Sequence, residues 1–245
     1  MNKRVIFGAT SAIAMEAAKH FAADGDALLL LGRDAGKLEA VRNDLLTRGA
    51  KEVYMIACDL IEIERHRDIL EQVGKVLPDY DTVLVAYGTL GDQEACQGDY
   101  DLTELELRTN FSSVVSLLTP IANIFEERKS GAIAVIASVA GDRGRQSNYI
   151  YGSAKGALAL FLQGLRNRLY KANVSVLTVK PGFVDTPMIA HMKKGPLSVK
   201  PAVVGKGIYD AIKNRKDVVY LPWFWCFIML IIKSIPEVFF KRLKL

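Results

Sequence analysis

The run Arg4-Val5-Ile6-Phe7-Gly8-Ala9-Thr10-Ser11-Ala12-Ile13-Ala14 sets the plan of this chain. Its first four residues read as a short apolar strand. A turn of small residues follows, and then Ala14, Ala17, Ala18 and Phe21 recur at helical spacing. A strand, a tight turn and a helix N-terminus together favour an anion, because free backbone N–H groups and the helix dipole point at one spot. A dinucleotide pyrophosphate is the usual occupant, although small residues also serve ordinary turns.

The same unit recurs outward along the chain. Ala27-Leu28-Leu29-Leu30-Leu31 is a buried strand followed by Gly32-Arg33. A carboxylate at that strand end would bind a ribose 2′-hydroxyl; an arginine favours a 2′-phosphate, hence NADP(H) over NAD(H). Asp34 can cap a helix running to about Arg48. The third strand, Val53 to Ala57, leads into Cys58-Asp59-Leu60, where Asp59 can meet an adenine amino group or cap the next turn. Thr82 to Ala86 is a fourth strand, followed by Tyr87-Gly88. A long helical pattern from about Leu102 to Glu127 carries Asn110 among apolar neighbours, and a buried amide needs a partner. Ala132 to Ala137 is a fifth strand ending at Ser138, and Val174 to Val179 a sixth, ending in Lys180-Pro181-Gly182. Apolar strands alternating with helices imply an α/β chain: a single doubly wound Rossmann-type domain, residues 1–221, with a parallel sheet flanked by helices on both faces. Ligands in such sheets bind at the carboxyl ends of the strands, where Gly8, Asp59, Gly88, Ser138 and Pro181 all fall.

Composition narrows the function classes. The 245 residues carry a net charge of only +5 and no basic run interleaved with aromatics, so nucleic acid is not an expected partner. Three cysteines and three histidines are scattered without ligand or disulfide spacing, which argues against a metal and for a reducing, cytoplasmic setting. Lys3 and Arg4 before an alanine-rich stretch imitate a signal peptide, but Gly8, Thr10 and Ser11 interrupt the apolar run.

Tyr151 and Lys155 stand four residues apart on a helix whose stripe continues through Leu158, Leu162, Leu165 and Leu169. A phenol titrates near 10, and a nearby ammonium is expected to lower that value and make it a useful acid or base. Ser138 can hydrogen-bond the same oxygen. Taken with the strand ends, these residues resemble the short-chain dehydrogenase/reductase family. The resemblance implies an NADP-dependent oxidoreductase acting on C=O or CH–OH groups. Tyr151 would then be general acid, Ser138 would polarise a carbonyl, Lys155 would tune Tyr151 and bind the nicotinamide ribose, and Asn110 would support a water relay. It also places Gly8, Thr10, Ser11, Ile13, Arg33, Asp59, Leu60, Ala86, Gly88, Pro181, Gly182, Val184 and Thr186 with Tyr151 and Lys155 around the cofactor. Two departures stand out. The family's Gly-x-x-x-Gly-x-Gly turn has alanine at 12 and 14, and its Asn-Asn-Ala-Gly is Val85-Ala86-Tyr87-Gly88.

Three regions bear on the substrate. Ala86 to Asp92, Asn148 to Lys155 and Ala190 to Leu197 are similar to family members that reduce a keto-sugar on a polyprenyl phosphate, working beside an oxidase partner. Phe183 to Lys200, with His191, Lys193, Lys194 and Lys200, reads as a substrate lid or a solvated charge run. Residues 222–245 form an apolar, aromatic and basic extension too short to span a bilayer, which takes about 20 residues. It is expected to pack on the domain or a sister subunit of a homo-oligomer, or to touch the inner membrane face. The alternatives are a reductase of fatty-acyl, steroid or other lipid carbonyls, and a non-catalytic cofactor-binding subunit of a membrane enzyme.

Overall fold

A computed structural model describes residues 1–189 and 195–243. The elements run β1 (Lys3–Phe7), α1 (Ala12–Ala23), β2 (Ala27–Gly32), α2 (Ala35–Thr47), β3 (Glu52–Ala57), α3 (His66–Val76), β4 (Thr82–Val85), α4 (Gln93–Gly98), α5 (Tyr100–Leu107) and α6 (Ser113–Arg128). They continue β5 (Gly131–Ile136), α7 (Tyr149–Leu169), β6 (Val174–Pro181), α8 (Pro201–Lys213), β7 (Val218–Leu221), α9 (Trp225–Ser234) and α10 (Glu237–Phe240). The seven strands form one sheet in the order β3-β2-β1-β4-β5-β6-β7, every pairing parallel.

Alternation along the strands builds two cores. Val5 and Phe7 join the core under α3, α6 and α7, whereas Ile6 joins the core under α1, α2 and α8. Leu29 and Leu31 divide from Leu28 and Leu30 in the same way. A strand covered on both faces has no polar side, which is why these strands read as continuous apolar runs. The order reverses between β1 and β4, and their carboxyl ends open a crevice at that switch point.

Two elements depart from the sequence reading. The seventh strand escaped it, because Val218–Leu221 is four residues long and only partly buried at the sheet edge. The long helix expected from 102 to 127 is α5 and α6 joined by a π-helical turn, Arg108–Ser112, with Asn110 at its middle. Such wide turns inside helices concentrate at functional sites.

The extension folds back onto the domain. Trp225 and Met229 are buried against Val139, and the Arg143 guanidinium lies 3.8 Å from the centre of the Phe240 ring. Arg143 also donates to the carbonyls of Ile232, Lys233 and Ile235 at the end of α9. Among the described residues, no helix is long and apolar enough to cross a membrane.

Candidate active site

One cavity of about 800 Å³ runs along the carboxyl edge of the sheet. That lies in the upper part of the range of about 300–1,000 Å³ usual for ligand sites. Every sequence-expected site residue lines it: the catalytic four, and the cofactor set from Gly8, Thr10, Ser11 and Ile13 through Arg33, Asp59, Leu60, Ala86 and Gly88 to Pro181, Gly182, Val184 and Thr186. His191, Lys193 and Lys194 of the expected lid lie outside the described residues; Val184 pairs with Val199 across its base.

At the cofactor end, Gly8 has φ +83°, and a Cβ there would sit 2.6 Å from the Tyr87 backbone nitrogen. Only glycine gives both that backbone and that approach. The departures from the family pattern are absorbed locally. Ala14 is fully buried in the core under α1, and Ala12 begins the helix. Tyr87 packs against the other core with its hydroxyl 3.0 Å from Ser113 Oγ, and burial pushes its phenol above the ordinary range. Asp59 accepts the Ile61 N–H at 3.1 Å, capping the turn, while Arg33 is exposed and makes no side-chain hydrogen bond or ion pair among the described residues.

At the chemical end, Ser138 lies two residues beyond β5, where a 3₁₀ turn, Val139–Asp142, begins. Its Oγ accepts the Ala140 N–H at 3.1 Å, and the hydroxyl is close enough to Tyr151 to favour its ionised form. The turn can lie this close to α7 because glycines face each other: a Cβ on Gly141 would be 2.6 Å from Gly156 N, and one on Gly156 would be 2.9 Å from Gly141 O. Lys155 is buried, its Nζ donating to Ile136 O at 3.2 Å and standing 5.8 Å from the Tyr151 ring centre.

The electrostatics differ from the sequence expectation. Tyr151 is pushed up to about 12, not lowered: burial dominates, the Ser138 hydrogen bond opposes it, and the Glu106 charge adds to it. Lys155 is brought down to about 8 by burial, with Glu106 acting against that. In the protein alone, desolvation decides the phenol's value, and the lowering expected from the Lys155 ammonium is not found.

Asn110 is fully buried. Its Nδ2 donates to Glu106 O and Glu106 Oε2, both at 3.1 Å, and its Oδ1 accepts the Thr89 N–H at 3.3 Å. A Cβ on Gly88 would lie 2.6 Å from that Oδ1 and 3.3 Å from Lys155 Nζ, so both atoms border the same small space. Glu106 Oε1 in turn accepts the Thr89 hydroxyl at 2.5 Å. Sequence reasoning missed Glu106. The available signal was an acidic residue four positions before Asn110 on the helical pattern, which puts both on one face. It also missed Arg145 and Trp225, which line the cavity beyond Ser138.

This arrangement can hold a carbonyl or alcohol oxygen between Ser138 and Tyr151 and move a proton there. The comparisons agree with that chemistry. The short chain dehydrogenase family matches residues 3–196, and the chain belongs to it. It is 33% identical over 239 residues to an uncharacterized oxidoreductase of Mycobacterium tuberculosis, covering 98% of this chain and 96% of the relative. It is 30% identical over 240 residues to another from Streptomyces coelicolor, covering 98% and 94%. Among solved structures, a short-chain dehydrogenase from Sphingobium yanoikuyae in complex with NADPH has the same fold, with TM-score 0.82, 20% identity and 97% of each chain covered. The actinorhodin polyketide ketoreductase with NADPH gives TM-score 0.81 at 20% identity, over 91% of this chain and 96% of that one. The protein is thus an oxidoreductase of the short-chain dehydrogenase family.

Proposed function

We propose that this chain is an NADPH-dependent carbonyl reductase. The observation that carries the reading is the convergence of Ser138, Tyr151, Lys155 and Asn110 in the cavity that Gly8 and Arg33 enter from its other end. The residues present fit the dinucleotide. Gly8 lets the turn approach closely, the N-terminus of α1 favours a pyrophosphate, and Arg33, unpaired among the described residues, suits a 2′-phosphate. Gly88 leaves room beside Asn110 and Lys155. NADPH, when bound, supplies the hydride for the carbonyl carbon. The Tyr151 phenol gives its proton to the carbonyl oxygen while the Ser138 hydroxyl donates to the same oxygen. Lys155 holds a positive charge beside the tyrosinate that results, and Asn110 borders the space through which the proton is replaced.

For the substrate, we favour a keto-sugar carried on a polyprenyl phosphate. Support comes from the resemblance of residues 86–92 and 148–155 to decaprenylphosphoryl-2-keto-ribose reductase. It comes also from the cavity wall formed by Ile228 and Ile232 of α9, where a prenyl chain can lie. In this reading an oxidase supplies the ketone. The outer face of α9 meets either the membrane that holds the lipid or a second copy of the chain. The same apolar wall would also suit a fatty-acyl or steroid carbonyl.

The test is binding of NADPH against NADH, followed by NADPH oxidation with the keto-ribosyl lipid and with a soluble ketoacyl thioester. Tight NADPH binding and turnover that Tyr151→Phe reduces by about 10²–10⁴-fold, with binding retained, are expected. Turnover of the thioester alone moves the assignment to other lipid carbonyls. Failure to bind either cofactor overturns the reductase reading in favour of a non-catalytic subunit.

A further inference from the structure

The end of the cavity away from Arg33 carries hydrogen-bonding groups that the fold leaves unmet. Arg145 Nε and Asn148 Oδ1 are buried without a partner among the described residues, and both residues line the cavity. Buried polar atoms are seldom left so, and a donor and an acceptor in one cavity wall mark what a ligand must bring.

The charges around Arg145 are otherwise accounted for. Lys180 Nζ meets Asp142 Oδ1 at 2.5 Å, and the other Asp142 oxygen accepts the Tyr220 hydroxyl at 2.6 Å. Arg143 pairs with Glu237 at 2.9 Å. Arg145 makes no ion pair among the described residues, and burial holds its guanidinium below the ordinary range, only partly offset by Asp142. A half-buried, unpaired guanidinium is costly unless an anion completes it.

The neighbouring wall is apolar. Ile228 and Ile232 of α9 line the cavity, with Met188 and Leu197 from the segment after β6. We propose that Arg145 is the anion anchor of the substrate end, receiving the phosphate of an apolar-tailed substrate whose chain lies along α9. Asn148 Oδ1 is placed to accept from a hydroxyl of the same molecule. This rests on the reductase reading for the identity of the reacting group, but not for the anchor itself. Arg33 and Arg145 then divide the work, one at each end of the cavity: the first for a cofactor phosphate, the second for a substrate phosphate. A planar guanidinium suits that task because it offers two parallel donors to two phosphate oxygens.

The probes are farnesyl phosphate and neutral farnesol, titrated into the full-length protein without cofactor. Wild type is expected to bind the phosphate more tightly than the alcohol. Arg145→Gln should weaken farnesyl phosphate by about tenfold or more while leaving farnesol unchanged, which also shows that the variant is folded. Arg145→Lys should fall between, keeping the charge but losing the two-pronged contact. Equal weakening of both probes, no change in either, or no preference for the phosphate in wild type overturns the proposal. Because NADPH is absent, these outcomes are independent of whether the reductase reading stands.

Discussion

Asn110 and Glu106, four residues apart across the start of the π-helical turn, are joined twice: Asn110 Nδ2 donates to the backbone carbonyl and to Oε2 of Glu106, each at 3.1 Å. The carboxylate accepts only, so it fixes which end of the amide faces it. Oδ1 is therefore turned toward Thr89, Gly88 and Lys155. Glu106→Leu leaves the Asn110 amide held only by the Glu106 backbone carbonyl and Thr89, and should cost about tenfold to a hundredfold in kcat, from the loss of a buried charge-assisted hydrogen bond. NADPH affinity should be unchanged; a fall in affinity as large as that in kcat would instead mean a collapsed site.

The pH profile gives a second reading of the same pair. Carbonyl reduction needs Tyr151 protonated and benefits from Lys155 charged. Lys155 titrates at about 8 and Tyr151 at about 12, so the rate should fall as pH rises through about 8, where Lys155 loses its proton. Glu106 raises the Lys155 value, so Glu106→Gln should move this limb to lower pH. A limb that stays in place would show that Glu106 does not act electrostatically on Lys155.

Arg33 is exposed at the end of β2 and carries no partner among the described residues. Arg33→Ala should weaken NADPH by about ten- to a hundredfold, the worth of a charge-assisted hydrogen bond, and leave NADH nearly unaffected. Direct titration of both cofactors checks it. Equal effects on the two would remove the 2′-phosphate from the account.

The chain shows plainly why some of this was legible and some was not. Leu28 to Leu31 and Val83 to Val85 announce buried parallel strands because both faces are covered. Tyr151, Lys155 and Ser138 announce a site because their order places them at one strand end and one helix start. The shift of Tyr151 upward was illegible, since it depends on how much water the folded pocket excludes. Glu106 was hidden in a run of acidic and apolar residues, where nothing local separates a buried carboxylate from a solvated one. Arg145 is one of two arginines on a loop, and only the fold shows that its neighbours' charges are already matched.

Gly182 and Trp225 are locked face to face. A Cβ on Gly182 would lie 1.9 Å from the indole Nε1 and 2.0 Å from Cε2. Gly182→Ala must displace the buried indole and with it the contact of α9 on Val139, one residue from Ser138. Overpacking of this kind costs about 1–3 kcal/mol. The two tryptophans differ in setting, Trp223 being exposed and Trp225 buried, so a Trp223→Phe background isolates Trp225 emission. In that background Gly182→Ala should shift emission to the red and lower the melting temperature. An unchanged spectrum would mean that the indole does not seal this wall.

The outer face of the C-terminal segment makes the last prediction. Trp223, Phe227, Leu230 and Ile231 are exposed, at 71%, 60%, 61% and 67%, while Trp225 and Met229 on the same segment are buried. Lys233, Lys241 and Arg242 lie in the same stretch. One face of α9 thus contributes to the cavity wall while the other presents aromatics and aliphatics beside positive charge. That pairing suits an anionic membrane surface, where apolar side chains enter the acyl boundary and basic ones meet headgroups. The protein should sediment with phosphatidylglycerol vesicles more than with phosphatidylcholine vesicles, and added salt should weaken the difference. Phe227→Glu with Ile231→Glu should release it from the vesicles while leaving reduction of a soluble ketone intact. If α9 is the membrane contact, turnover of a vesicle-borne substrate should fall with the binding, because Ile228 and Ile232 of that helix also line the cavity. If instead the double variant converts a dimer to a monomer, with no change in vesicle binding, the face belongs to a second copy of the chain.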